Sequence, residues 1–494
     1  MLVPESRICR MNDAPERKAG KYVLYWMIAQ RRTEANFGLQ RAMEHARRLA
    51  KPLLVFEALR VGYRWASERL HRFVIQGMCA NAVACEAAGV TYLSYLEPSP
   101  GAGEGLLAAL AERATIVVTD EFPCFFLPAM VRTTSRKLDV AVEAVDSNGL
   151  VPLRALNREF LRAFDFRRWL QGHLQPYLNE FPQPHPLADY ELGPAPLPRG
   201  IAKQWPNVSP QEIEASPEKL TEFPVDHLVP ASFIRGGADA AVKQLQWFLK
   251  SALDRYGDER NHPDAEASSG LSPYLHFGHI GVHQIFAAAV KREEWKPQHI
   301  QPQVTGSAEG WWGTSPSLEA FLDELITWRE LGYNCSFRRA DYDRYSSLPE
   351  WAKKTLEEHT RDHREHTYSL DEFAASQTHD PVWNAAQTQL RTEGRLHNYL
   401  RMLWGKKILE WTSHPREALK IIIELNNRYA LDGRDPNSYS GIFWVLGRYD
   451  RPWAPERKIF GCIRYMSSEN TVKKLRMKQY LAKYGPARKQ ASLF

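Results

Sequence analysis

The chain has 494 residues, 44% hydrophobic and 25% charged, room for two to four domains and a large buried core; a small stapled scaffold, a disordered chain and a repeat fibre are excluded. No stretch reaches the ~18 apolar residues of a membrane span, and the first twenty residues are charged where a signal peptide needs an apolar core, so a soluble intracellular protein is expected. Residues 451–494 hold 11 Lys/Arg against 2 Asp/Glu, a local +9 in a chain whose total is +6; this is the footprint of contact with a polyanion, or a solvated basic tail.

From Tyr22, short apolar runs alternate with amphipathic stretches: YVLYWMI, a helix-like 34–49, PLLVFEAL, a helix-like 67–88, VTYLSYL, TIVVTD and DVAVEAV. Strands of this length separated by helical segments predict a parallel sheet covered on both faces, an α/β domain ending near residue 150. No G-x-G-x-x-G follows the first strand, which argues against an ordinary Rossmann dinucleotide site there. Residues 152–230 contain 13 of the 32 prolines, so long helices are not expected and the segment reads as a wrapping connector.

Beyond about Phe233 the pattern is helical: AAVKQLQWFLKSALDRY, VHQIFAAAVKREEW, SLEAFLDELITWRELGYN, RLHNYLRMLWGKKILEW and PREALKIIIELNNRYAL carry apolar residues at i, i+3, i+4 and i+7, predicting an all-α second domain. Residues 295–316, polar and rich in turn formers, read as an inserted surface loop. The six cysteines show no Cys-x-x-Cys pair and no histidines at zinc spacing, so neither disulfides nor structural metal is expected.

Eleven of the fifteen tryptophans follow residue 236. Trp404 and Trp411 are seven apart, on one helix face about 10 Å from each other; with Trp383 upstream they make either ordinary core or a path for electrons from a buried redox cofactor to the surface. Glu324 and Trp328 share a face at i, i+4. A carboxyl beside an aromatic plate suits a planar hydrogen-bonding ligand such as a base, and equally an ordinary amphipathic helix. Ser268, Ser269 and Ser272 surround Gly270 before a helix, a pattern for a phosphate site or a plain N-cap. Residues 425–466, LNNRYALDGRDPNSYSGIFWVLGRYDRPWAPERKIFGCIRYM, interleave Asn, Asp, Arg and Trp with glycines too densely for core, and Arg401 is placed to pair with Asp432.

On these residues the chain resembles the class II cyclobutane pyrimidine dimer photolyases of the photolyase/cryptochrome superfamily, most specifically in YWMIAQRR, LSPYLHFG and LDGRDPNSYSGIFWVLGRYDRPW, with similarity from Tyr22 to the mid-460s. The resemblance implies an N-terminal extension (1–20), an α/β, Rossmann-like antenna-type domain (21–150), a Pro-rich connector (151–235) and an all-α FAD- and DNA-binding domain (236–494). It implies flavin contacts from Tyr256, Ser268, Ser269, Gly270, Leu271 and Ser272, from Asn426 at the reactive flavin nitrogen, and from the Arg401–Asp432 pair. Trp404, Trp383 and Trp411 match the proximal, middle and distal members of the electron path. Glu324, Trp328, Met402 and Trp444 match contacts to the flipped dimer, and Arg451, Trp453 and Arg464 the DNA-side hairpin.

A light-dependent DNA repair enzyme is therefore expected, a monomer that binds ultraviolet-damaged DNA, preferably duplex, and splits the dimer by electron transfer from photoexcited reduced FAD. Glu324 is the candidate donor to a pyrimidine carbonyl, and Glu324, Asn426 and the three tryptophans are the candidate catalytic set. A second antenna chromophore, deazaflavin or folate, is an option for the N-terminal domain. A cytoplasmic place is implied, nucleoid-associated in a bacterial host. The rival readings are a cryptochrome-type blue-light receptor with the same fold, a photolyase for the pyrimidine–pyrimidone lesion, whose histidine acid/base groups these motifs replace with Glu324, and a non-enzymatic DNA-binding module.

Overall fold

The structure is a computed structural model that describes residues 2–485; Arg488 and Lys489 of the basic segment lie outside the described residues. Strands β2 (Tyr22–Met27), β3 (Leu53–Leu59), β4 (Thr91–Leu96), β5 (Ala114–Asp120) and β6 (Val142–Val145) form a parallel sheet. Strand β1 (Ile8–Arg10), from the 1–20 segment, adds an antiparallel edge with Ile8 opposite Val145. The strand order is β1-β6-β5-β2-β3-β4. Alternate residues of β2 enter different cores: Tyr22, Leu24 and Trp26 on one face, Val23, Tyr25 and Met27 on the other. Burial on both faces is why these strands read as continuous apolar runs.

The turn after β2 closes around one carboxylate. Asp120, at the end of β5, accepts from the backbone N–H groups of Ile28, Ala29 and Gln30 at 2.8, 2.8 and 2.9 Å, and from the Tyr25 hydroxyl at 2.6 Å. Asn36 then caps the helix Phe37–Leu49, accepting from Gly38 and Leu39; this is the usual service of an Asn side chain to orphan helix donors.

The connector contains an eleven-residue helix, Ala163–His173, against the expectation of no long helix. It forms in the proline-free stretch between Pro152 and Pro176, where the local pattern overrides the regional composition. The remaining chain is helical, and two clusters of buried side chains organise it: one contains Tyr256, Tyr274 and Phe321, the other Trp383, Trp404 and Trp411.

The segment 295–316 runs largely over the surface but is pinned to the body at a few buried points. It buries Trp295, Trp311 and Trp312, the Trp295 indole donates to the Trp312 carbonyl at 2.6 Å, and Glu319 accepts from the N–H groups of Gly310, Trp311 and Trp312 at 2.6, 2.8 and 2.9 Å. Counting turn formers hid those three indoles, whose burial decides the packing.

The two most specific short motifs meet in space. Arg32 of YWMIAQRR donates to the carbonyl of Gly278 in LSPYLHFG at 3.0 Å. Gly278 has φ +68°, and a Cβ there would overlap the Ala29 carbonyl. Only glycine permits both this left-handed backbone and this approach. The helix Ser272–His276 is thereby fixed against the C-terminal ends of the strands.

Candidate active site

The loop following the helix Pro415–Tyr429 is held by the asparagine pair before it. Asn427 Oδ1 accepts from the Arg434 N–H at 3.0 Å and from Asn426 Nδ2 at 3.1 Å; its own Nδ2 donates to the Tyr439 hydroxyl at 3.0 Å. Asn426 Nδ2 also donates to Ser438 Oγ at 2.9 Å. A Cβ on Gly433 would lie 2.9 Å from the Asn426 carbonyl oxygen, so the D-G-R turn is folded tightly onto the helix end. Asp435 caps the next helix, Pro436–Val445, accepting from Asn437 N at 2.8 Å. Burial opposes its charge, but His276 at 3.3 Å and the nearby Arg329 hold its carboxyl below the usual range.

Arg401, on the helix Asn398–Glu410, donates to both oxygens of Asp432 at 3.0 and 3.1 Å. Ser272 donates to Asp432 Oδ2 at 2.8 Å. The pair is therefore part of a three-residue bridge that ties the Ser272–His276 helix to the 430–435 loop. In the Ser268–Ser272 run, Gly270 has φ +66°, Ser269 accepts through its carbonyl from Gln244 at 2.8 Å, Leu271 is buried, and the hydroxyls of Ser268 and Ser272 sit on exposed residues. Tyr256 packs edge-on against Phe248 and Phe321, and burial pushes its phenol up.

Two amide valences are unspent here. No hydrogen bond among the described residues uses Asn426 Oδ1, and Gln387 Nε2 is buried without a partner while its Oε1 accepts from the Trp404 indole at 2.9 Å. The exposed Ser268 and Ser272, a half-buried Arg–Asp pair and an unpaired carboxamide oxygen make a donor and acceptor set that fits a dinucleotide with a planar, hydrogen-bonding ring.

The three tryptophans form a contiguous run. Trp404 and Trp383 are stacked with ring centroids 6.4 Å apart, and Trp383 meets Trp411 edge-on at 6.1 Å. All three are buried, while His379, which is exposed, lies 4.9 Å from the Trp411 ring.

Glu324 and Trp328 do not sit on a regular α-helix. Residues Asp323–Trp328 form a π-helical turn between Pro316–Leu322 and Arg329–Arg338, so the i, i+4 register predicted for them is altered; π-turns of this kind recur at functional sites. Glu324 is half-buried and receives no hydrogen bond from the described residues; burial raises its carboxyl to about 7, with Arg260 opposing the rise and Asp323 adding to it. Trp328 and Trp444 are half-buried against the same hydrophobic cluster. Met402 faces Gly441 across the contact of the helices Asn398–Glu410 and Pro436–Val445, its Cε 3.7 Å from a Cβ built there.

From Trp444 a ladder of cations and indoles runs outward. Lys406 lies over Trp444 at 5.1 Å, Arg464 over Trp444 at 5.4 Å and over Trp453 at 4.1 Å, and Arg451 over Trp453 at 4.8 Å. Asp450 ties the outer rungs, accepting from the Trp453 indole at 3.1 Å and facing Arg464 at 3.5 Å. Arg451 is exposed and Trp453 partly so. Sequence reasoning missed Lys406: it is fully buried, donates to the Val445 carbonyl at 2.6 Å, and burial pulls it down to about 7. The signal was a lysine pair in the otherwise apolar run LWGKKILEW. Also missed were Asn427, which organises the loop, and Gln387; the doubled Asn in LNNRYAL was the available clue.

A cavity of about 600 Å³ lies at the strand ends, lined by Trp26, Phe56, Tyr95 and Phe122 of the sheet domain and by His276 and Arg434 of the helical domain.

No family model matches the chain. Curated relatives do. The chain is 33% identical to a deoxyribodipyrimidine photo-lyase from Methanothermobacter thermautotrophicus over 484 residues, covering 97% of this chain and 98% of the relative. Identity is 34% to the enzyme of that name from Oryza sativa subsp. japonica, covering 94% and 88%, and 31% to that from Potorous tridactylus, covering 98% and 84%. Among solved structures, a bacterial class III photolyase from Agrobacterium tumefaciens superposes with a TM-score of 0.67 at 17% identity, covering 94% of this chain and 86% of that one; at that identity the likeness is one of fold.

Proposed function

The chain belongs to the deoxyribodipyrimidine photo-lyase family of light-dependent DNA repair enzymes, and from that premise we propose that it binds cyclobutane pyrimidine dimers in ultraviolet-damaged duplex DNA, flips the dimer out and splits it in the class II manner. The observation that carries this reading is the run Trp404–Trp383–Trp411, whose Asn398–Glu410 helix is tied to the Asn426–Asp435 loop by Arg401 and Asp432, with Trp328 and Trp444 packed against the same helical domain's other cluster.

FAD would be held by Tyr256, the Ser268–Ser272 run, Asn426 and the Arg401–Asp432 pair. When bound, it supplies light-driven electron transfer to the dimer and back. The protein's residues do the rest. Two linked pyrimidines stack and pair weakly, so extruding them costs less than extruding a normal step. Trp328, Trp444 and Met402 offer apolar surfaces to the extruded bases, while Arg451, Trp453 and Arg464 enter the duplex where they leave. Glu324, protonated, donates to a pyrimidine carbonyl, and that hydrogen bond strengthens as negative charge grows on the oxygen. The tryptophan run returns flavin to its reduced state from the protein surface.

The same reading assigns residues 21–150 to an antenna-type unit and 236–494 to flavin and DNA, joined by 151–235, in a monomer acting wherever the cell keeps its DNA. The aromatic cavity of about 600 Å³ is the place for a second chromophore, deazaflavin or folate. The deciding experiment is dimer loss from irradiated duplex DNA under blue light and in darkness. Loss only in light is expected; no light-dependent loss from flavin-replete, reduced protein rejects the reading.

A further inference from the structure

The 295–316 segment and the connector helix converge on the turn that carries Glu324. Arg167, on the helix Ala163–His173, donates to Asp323 Oδ1 and Oδ2 at 2.8 and 2.9 Å and to the Gly306 carbonyl at 3.2 Å. Four residues on, Gln171 accepts from the Gly306 N–H at 2.6 Å and donates to the Ser307 carbonyl at 3.0 Å. Gly306 has φ +78°, and a Cβ on it would press on the Phe164 ring at 2.9 Å, so the tip of the segment is seated on this helix by a residue-specific fit. The far end of the segment is held by Glu319, one turn before Asp323. Arg167 and Asp323 are each only about one-seventh exposed, at 13% and 14%.

A π-turn lacks the regular α-helical bonding of its neighbours and needs outside support to keep one geometry. We infer that Arg167 is a positioning residue for the repair site: by clamping Asp323 to the Gly306 turn, it fixes the π-turn on which Glu324 stands and sets the charge beside it. The inference rests on the reading of Glu324 as the group that faces the dimer.

The charged and titratable groups around Glu324 are few. Asp323 comes from its own turn, Arg167 from the connector helix, and Arg260 and Tyr256 from the segment 256–260. Arg329 and Glu330, next along the helix, are turned to the backbone of residues 148–151. Within this set Asp323 favours the neutral form of Glu324 and Arg167 the ionised form, so removing one or the other must move the carboxyl in opposite directions. A support that acted only by packing has no such sign.

The test titrates the Glu324 carboxyl by its infrared C=O band in flavin-loaded protein, assigned with Glu324→Gln, in Arg167→Gln, Asp323→Asn and the double variant. Repair yield per bound dimer is followed on the same samples. Arg167→Gln is expected to raise the midpoint by on the order of half a pH unit, Asp323→Asn to lower it by a similar amount, and the double variant to return close to the parent. Both single variants should lose several-fold in yield with dimer affinity nearly kept. Midpoints that move the same way, or do not move, overturn the inference, and so does an unchanged yield in both single variants where Glu324→Ala lowers it. Opposite midpoint shifts with a yield that Glu324→Gln and Glu324→Ala also leave unchanged would uphold the clamp and reject the role given to Glu324.

Discussion

Trp383 and Trp404 lie parallel to within 5°, their ring centroids 6.4 Å apart, and the Trp383 indole donates to the Trp404 backbone carbonyl at 3.0 Å. The two rings come from different helices, Pro381–Glu393 and Asn398–Glu410, so their alignment is a product of helix packing and of that one hydrogen bond. The indole N–H of Trp404 is in turn taken by Gln387. Both orientations are therefore locked by partners within the buried core.

Trp404→Phe should abolish light-driven reduction of oxidised flavin while leaving repair by chemically reduced protein nearly intact, since on the proposed reading the tryptophans feed the flavin and not the lesion. Transient absorption of the oxidised protein and dimer loss after dithionite reduction make the comparison. Equal loss of both would remove the tryptophan run from the photoreduction path.

Glu324 carries a pH signature. Its carboxyl is raised to about 7 by burial, so the proton it would donate is present below that pH and lost above it. Repair yield per bound dimer should accordingly fall as pH rises through about 7. Glu324→Gln keeps a donor with no titration and should flatten the profile, whereas Glu324→Ala should lower the yield at every pH and cost dimer affinity only about 1–2 kcal/mol. An affinity collapse at normal yield would make Glu324 a recognition residue.

Neutralising Arg451 and Arg464 together should weaken binding to damaged duplex and reduce the slope of log affinity against log salt by about 1 for each phosphate that is no longer neutralised. Fluorescence titrations at several salt concentrations give the slope. If it does not change, the DNA lies elsewhere.

Gly278→Ala should destabilise the docking of the sheet domain on the helical domain. The new methyl would collide with the backbone of residues 29–31, and the residue is already at φ +68°; a backbone obstacle cannot rotate away, so roughly 2–4 kcal/mol is expected. A lower melting temperature together with release of bound flavin checks it, since Ser272 and His276 share this short stretch.

The parallel strands were legible because burial on both faces leaves continuous apolar runs, and the helices because their apolar period survives in the sequence. Strand β1 was not, since three residues carry no period. The π-turn was equally invisible: FLDELITWRE has an unbroken α-helical pattern, and the groups that hold Asp323 at its start, Arg167 and through it the Gly306 carbonyl, come from elsewhere in the chain. The Arg401–Asp432 pair was within reach because Asp432 lies in an unusually polar loop and Arg401 one turn from Trp404 on a helix otherwise apolar there. Lys406 was out of reach because a lysine in a helix ordinarily points to water, and only the three-dimensional position of the Val445 carbonyl explains its burial.

Trp444 has a cation over its ring from each of two neighbours, Lys406 and Arg464. Removing an electron from an indole creates a positive charge, and a full charge about 5 Å away raises that cost by roughly 3 kcal/mol at an effective dielectric of about 20. Asp450 offsets part of the Arg464 field, and burial pulls Lys406 down to about 7. Along the run from Trp404 to Trp411, the only cation over a ring among the described residues is Lys407 on Trp411, and Glu410 neutralises it at 2.7 Å. The described tryptophans thus fall into two electrostatic kinds: a buried run with little cationic charge over its rings, and Trp444, whose oxidation is made costly; if Trp444 faces the dimer as proposed, that cost keeps a nearby indole from draining the photochemistry.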